Sequence, residues 1–181
     1  LVIITGGFEA LKSAGHDGDI DYARSLLVER LALAAELADS YRVRLAFEPL
    51  HPMVCGFRSI VSTLQESLDI LDQMDNSHDI GLAIDTYALW WEHDLQEKLK
   101  RAGRRILNYH VSDWLADTRD LRLDRGMPGD GQIALCDWRH MIEAAGYFGP
   151  IEVEIFSRDR WWKTPAEKMI EEIIQRMNSA F

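Results

Sequence analysis

Little in this sequence suggests a membrane, a secretory route or a polyanion. No apolar run approaches the roughly 20 residues that span a bilayer, and no basic stretch leads into an apolar one as in a signal peptide. Basic residues are outnumbered 20 to 30, and the net charge of −10 argues against a bulk binder of nucleic acid or anionic membrane, though it leaves room for a local basic cleft. Cysteine is scarce: Cys55 and Cys136 lie far apart, match no zinc or redox spacing, and read as reduced thiols of a cytoplasmic protein. The chain has no glycine-rich phosphate loop, no dinucleotide fingerprint and no evident Ser, Cys and His triad. Linkers and low-complexity segments are missing too, so the 181 residues, 47% hydrophobic and 28% charged, fit one soluble globular domain with a sizeable core. An initiator methionine is also lacking, and "LVIIT" at Leu1–Thr5 already reads as a strand. A domain seldom starts inside a buried strand, so the expectation is a chain without its N-terminal part.

What is present is alternation. Leu1–Thr5, Val43–Glu48, Ile80–Asp85, Ile106–Val111 and Ile151–Phe156 are nearly continuous apolar runs, as suits strands buried on both faces of a parallel sheet. Residues 19–39 place Ile20, Ala23, Leu27, Leu31, Ala34 and Ala38 on one helical stripe, with Asp19 as N-cap. Residues 60–74 space Ile60, Leu64, Leu68, Leu71 and Met74 in the same way. A shorter helix is expected at about 92–102, and another over 138–145, between Asp137 as cap and Gly146 as stop. "TPAE", Thr164–Glu167, combines a capping box with proline at the first helical position. Strict β/α alternation allows an open doubly wound sheet or a (β/α)8 barrel. Five units are visible, and about three more would reach the roughly 250 residues usual for a barrel.

The strand ends favour the barrel. "LAFE" ends in Glu48, "GLAID" in Asp85, "ILNYH" in His110 and "IEVE" in Glu154. Four successive strands thus deliver a carboxylate or an imidazole at or near the C-terminal edge, where a barrel makes them converge and an open sheet would spread them along a line. Two Glu, one Asp and one His form a mixed oxygen and nitrogen donor set suited to one divalent ion (Mn²⁺, Co²⁺, Mg²⁺ or Zn²⁺), without the thiolates of a structural zinc site.

Together, "FEPLHPM", "IDTY", "NYHVSDW", "DRGMPGDGQI" and "IEVEIF" resemble the xylose isomerase-like TIM barrels, the sugar-phosphate isomerase and epimerase group, from about residue 1 to residue 165. The resemblance implies a (β/α)8 barrel of which this chain is the C-terminal five units. It implies Glu48, Asp85, His110 and Glu154 as metal ligands, and Glu48 and Glu154 as the acid/base pair. One carboxylate would remove a proton beside a carbonyl and the other return it, through an enediolate. The expected substrate is a small sugar, polyol, sugar phosphate or keto acid. One departure stands out: family epimerases carry a His three residues after the strand-three Asp, whereas "DTYA" has Ala88. That departure argues against ordinary epimerase activity, and His93 in "WWEHD" is a weak substitute. An inosose-dehydratase-like lyase, an apurinic-endonuclease-like phosphodiesterase and a degenerate ligand-binding barrel are the competing readings.

Three further residues are candidate substrate contacts. The segment Ser112–Leu135 is long for a βα connection and would aim Arg125 at a substrate hydroxyl, carboxylate or phosphate, or form an ordinary surface salt bridge. His51 lies three residues beyond Glu48 on the same loop, with a structural role as the alternative. Trp90, Trp91 and Trp114 follow strand ends, and Trp91 in particular could present an aromatic face to a sugar. Trp161 and Trp162 suit packing, and the basic cluster Arg101–Arg105 suits a solvated turn on the opposite edge. Open sheet edges would favour association into homo-oligomers.

Overall fold

A computed structural model describes residues 1–7, 9–12, 15–74 and 79–179, the side chains of residues 9 and 10 excepted. Its five strands are β1 (Val2–Ile3), β2 (Leu45–Phe47), β3 (Ile80–Asp85), β4 (Ile106–Val111) and β5 (Ile151–Val153). Between them run α1 (Glu9–Lys12), α2 (Ile20–Ser40), α3 (Leu64–Asp72), α4 (Thr86–Leu89), α5 (Leu95–Ala102) and α6 (Leu135–Ala144), with α7 (Ala166–Ser179) last. All strand pairs are parallel, and the order β1-β2-β3-β4-β5 follows the chain. A doubly wound sheet would reverse its order at a switch point; stepping one way throughout is the arc of a β/α barrel. Among the described residues, no helix is long and apolar enough to cross a membrane.

The helices cover one face of the arc. Leu27 and Leu31 of α2, Leu64 and Leu68 of α3, Leu99 of α5 and Trp138 and Ile142 of α6 form one buried cluster with Phe47, Leu82, Ile84, Tyr109 and Val111 of the sheet. Each such side chain contributes about 1.5–3 kcal/mol on leaving water. Asp19 is the cap read from the sequence, and Thr63 is one that the reading did not assign. Asp19 accepts the Tyr22 amide at 3.0 Å and opens α2, and Thr63 accepts the Glu66 amide at 3.1 Å and opens α3. Glu92, from the loop after α4, adds a second acceptor for the α3 terminus at Leu64 N, 2.8 Å away.

Some boundaries differ, each for a local reason. Because Thr63 caps α3, Ile60 and Val61 lie in the preceding extended segment, still buried. Helix α6 starts at Leu135 rather than 138; Asp137 lies in its first turn, and Ala134 holds the cap position without a side-chain bond. Gly146 does end it, at φ +93°, donating its amide to Glu143 O at 2.9 Å. The Pro165 carbonyl accepts the Met169 amide at 2.9 Å, so α7 opens at Ala166. The strands β3 and β4 span the residues read from the sequence, whereas β1, β2 and β5 are shorter than the runs Leu1–Thr5, Val43–Glu48 and Ile151–Phe156.

One irregularity decides which residues face the inside of the arc. Leu82 pairs with Ile106, but Ala83 pairs with Asn108, so Leu107 is an extra residue in β4. A side-chain period of two means that one inserted residue moves everything after it to the other face. Ile106 and Tyr109, three apart, accordingly both join the helix-side core, while Asn108 and His110 share the inner face, with Asn108 Nδ2 3.0 Å from His110 Nε2. The register then sets Asp85 opposite His110. Gly81 makes room for the bulge: a Cβ there would overlap the Arg105 carbonyl oxygen and lie 2.6 Å from Leu107 Cγ. Gly81→Ala should therefore destabilise the fold by roughly 1–3 kcal/mol in chemical denaturation, and an unchanged midpoint would show that the bulge is not so constrained.

Candidate functional site

The parallel register brings the strand ends to one edge. Glu48 is the first residue past β2, Asp85 ends β3, and His110 is next to last in β4. Glu154 follows β5 and extends its ladder, donating its amide to Val111 O at 3.0 Å. Glu48 is 6% exposed, Asp85 0% and His110 6%, so these charges are buried and need partners.

The inner pair is Glu48 and His110: the ring Nδ1 is 3.3 Å from Glu48 Oε1 and 3.9 Å from Glu154 Oε2. Burial pulls the imidazolium down, but the hydrogen bond to Glu48 and the charges of Glu48, Asp85 and Glu154 outweigh it and push the His110 pKa up to about 9. Glu48 is raised, first by its own burial and then by the charges of Asp85 and Glu154, against the lowering bond to His110. Glu48, His110 and Glu154 each offer one ligand atom, and the three atoms lie within 4.8 Å of one another. Two carboxylate oxygens and an imidazole nitrogen that close together fit a hard or borderline divalent ion.

Asp85 lies beside this trio with other partners. Its Oδ1 accepts the Tyr87 amide at 2.9 Å, opening α4, and its Oδ2 accepts from Arg125 Nη1 at 2.9 Å. The same nitrogen donates to Glu154 Oε2 at 2.9 Å. Arg125 thus points into the carboxylate cluster, not outward, and its guanidinium carbon lies 4.4 Å from the Tyr87 ring centroid and 5.0 Å from that of Phe156.

An aromatic wall flanks the cluster. His51 stacks on Trp114 at 4.8 Å between centroids and meets Trp91 edge-on at 6.1 Å. Its Nδ1 accepts the Met53 amide at 3.2 Å, which fixes the ring proton on Nε2, and burial lowers its pKa. Trp91 Nε1 donates to the Ala88 carbonyl at 2.7 Å. Ala88 itself is 2% exposed and packs into the core, whereas His93 is exposed. Elsewhere, Trp161 donates to Asp130 at 3.0 Å and Trp162 to Ile155 O at 2.7 Å. Arg101 and Arg105 pair with Asp72 of α3.

Several residues that build the site carry no obvious signal in the sequence. Asp113, 0% exposed, accepts four backbone amides, from Trp114, Gly129, Gly131 and Ile133, at 2.8–3.0 Å. It shapes the long loop that carries Arg125. Ser112, Tyr87 and Asn108 also line the cluster: Arg125 Nη1 is 3.4 Å from Ser112 Oγ, Tyr87 anchors the loop by donating to Leu121 O at 3.0 Å, and Asn108 meets the far side of His110. The one available hint was "SDW" ahead of a glycine-rich run, since an Asp beside a loop of small residues is a ready acceptor for its amides.

Comparison with known proteins bears on the fold and the family. The structure of protein SMc04130 from Sinorhizobium meliloti 1021 superposes with a TM-score of 0.92 at 43% identity, over 99% of this chain and 64% of that one. The IOLI protein, solved with a bound zinc atom, matches at TM-score 0.75 and 23% identity, over 89% of this chain and 57% of its own. D-Psicose 3-epimerase from Clostridium cellulolyticum H10, solved with D-tagatose, matches at 0.69 and 18%, over 87% and 55%. The chain therefore spans less than two thirds of each of these relatives, and the last two share its fold alone. No curated protein matched the sequence. The family described as xylose isomerase-like TIM barrel matches over residues 2–180, nearly the whole length. The chain belongs to the xylose isomerase-like TIM barrel family.

Proposed function

We propose that this chain carries the metal and acid/base groups of an isomerase or epimerase that moves a proton at a carbon beside the carbonyl of a small sugar, sugar phosphate or keto acid. The observation that carries this reading is the trio of buried Glu48 and His110 with half-buried Glu154, whose ligand atoms lie within 4.8 Å of one another. These residues would hold one divalent ion, with buried Asp85 beside them as the fourth candidate ligand. When bound, such an ion supplies Lewis-acid stabilisation of negative charge developing on substrate oxygens.

The remaining work falls to the chain's own side chains. Glu48 and Glu154 flank His110 from two strands, so one can take the proton from carbon and the other return it on the neighbouring carbon or the opposite face. Asn108 and Glu48 hold the imidazole from both sides, keeping its ring orientation fixed. Arg125 neutralises Asp85 and Glu154 and is within reach of a substrate oxygen that approaches Glu154. The His51, Trp91 and Trp114 wall offers apolar faces to sugar C–H groups and keeps water from the reacting centre.

Ala88 favours a second reading. The position at which family epimerases carry a substrate-contacting His is here a core residue, so a lyase that begins with the same proton removal and then expels water is the natural competitor. The chemistry of the products separates them. With Mn²⁺ and a panel of ketoses plus inosose in D₂O, the leading reading expects deuterium beside the carbonyl of an isomeric product by NMR; a dehydrated product selects the lyase. Glu154→Gln should lower turnover by about 10²–10⁴-fold while still binding metal; undiminished turnover would remove Glu154 from the chemistry. His110→Ala should weaken Mn²⁺ binding by on the order of 10-fold or more, and unchanged binding in calorimetry would place the ion elsewhere.

A further inference from the structure

Arg125 is held more firmly than a loop arginine requires. Its amide donates to the Phe156 carbonyl at 2.9 Å, and the next residue, Gly126, exchanges both backbone bonds with Asp113 at 2.9 and 3.0 Å. The side chain is 12% exposed and lies between the Tyr87 and Phe156 rings. From there a single nitrogen, Nη1, reaches Asp85 Oδ2 and Glu154 Oε2, 2.9 Å from each. That same Glu154 oxygen faces His110 Nδ1 at 3.9 Å. A group that stays charged at any ordinary pH therefore already holds two of the four candidate donors. Its Nε is buried without a hydrogen-bond partner, so the placement satisfies the two carboxylates at the expense of the guanidinium's own donors.

We propose that Arg125 is a built-in competitor for the divalent ion: its fixed charge already neutralises Asp85 and Glu154, and so opposes a cation beside the same two carboxylates. The inference rests on the metal-site reading above. A carboxylate shared with a fixed cation is a weaker donor, and the positive charge of the largely buried Arg125 opposes a doubly charged ion nearby. The affinity of the site is thus set below what its donors alone would give.

Mn²⁺ titration of the purified protein, followed by calorimetry and by the paramagnetic resonance signal of unbound Mn²⁺, tests this without any activity assay. Arg125→Gln keeps a donor toward the carboxylates and removes the charge; Arg125→Met removes both; Arg125→Lys keeps the charge. The Gln and Met variants should bind Mn²⁺ roughly 10-fold more tightly than the wild type, and the Lys variant should stay near it. Circular dichroism checks that each variant is folded, and the Gln variant decides if the Met variant is not. Equal or weaker binding by folded Arg125→Gln, with Mn²⁺ bound by the wild type and weakened by His110→Ala, overturns the competitor role and leaves the metal site standing. Failure of the wild type and every variant to bind Mn²⁺ overturns both.

Discussion

Burying charge is costly unless each charge finds a partner, and the C-terminal edge of this sheet gathers three carboxylates with one imidazole and one guanidinium. Everything about the local architecture follows from satisfying that set. Glu48 leans on His110, Asp85 spends one oxygen on the α4 terminus and the other on Arg125, and Glu154 shares Arg125. Three carboxylates against two cationic groups leave negative charge in excess, which is the environment a divalent ion stabilises and in turn is stabilised by. Within the set, the His110 pKa is pushed up to about 9 by the hydrogen bond to Glu48 and the charges of Glu48, Asp85 and Glu154, against the pull of its own burial, and an ion binding there would displace that proton.

Two pieces of backbone make the gathering possible. The Leu107 bulge turns His110 inward and sets it opposite Asp85; without it, Tyr109 would face the carboxylates and His110 the helices. Asp113 does the second task, drawing four amides of one loop onto a single buried carboxylate and so fixing the position from which Arg125 reaches across β3 and β5. A rigid scaffold beneath a charged site is what general acid and base chemistry needs, since the reacting groups must be placed within a fraction of an ångström. The aromatic wall of His51, Trp91 and Trp114 adds a dry side to the same cleft.

Much of this was legible from residue order. The spans of β3 (IGLAID) and β4 (ILNYHV) could be read directly from largely apolar runs; β1, β2 and β5 are shorter than their apolar runs, because a run of hydrophobic residues does not say where ladder pairing stops. Glu48, Asp85, His110 and Glu154 stood out by recurring at strand ends, and the structure does bring three of them within 4.8 Å. What stayed hidden depends on register and on long-range partners. A bulge leaves no mark in hydrophobic pattern, the start of α6 at Leu135 lacks a side-chain cap to announce it, and the two partners of Arg125 lie 40 and 29 residues away in the chain. The role of Asp113 is likewise long-range, since three of its four amide donors lie 16 to 20 residues further along the chain.

The claim on which the functional reading stands is that one divalent ion sits among Glu48, His110 and Glu154. Electron–nuclear double resonance on the Mn²⁺-loaded protein addresses it most directly. A single bound ion should show coupling to one imidazole nitrogen, lost in His110→Ala and retained when the exposed His93 is replaced. Coupling to water protons alone, unaffected by the loss of His110, would contradict the claim.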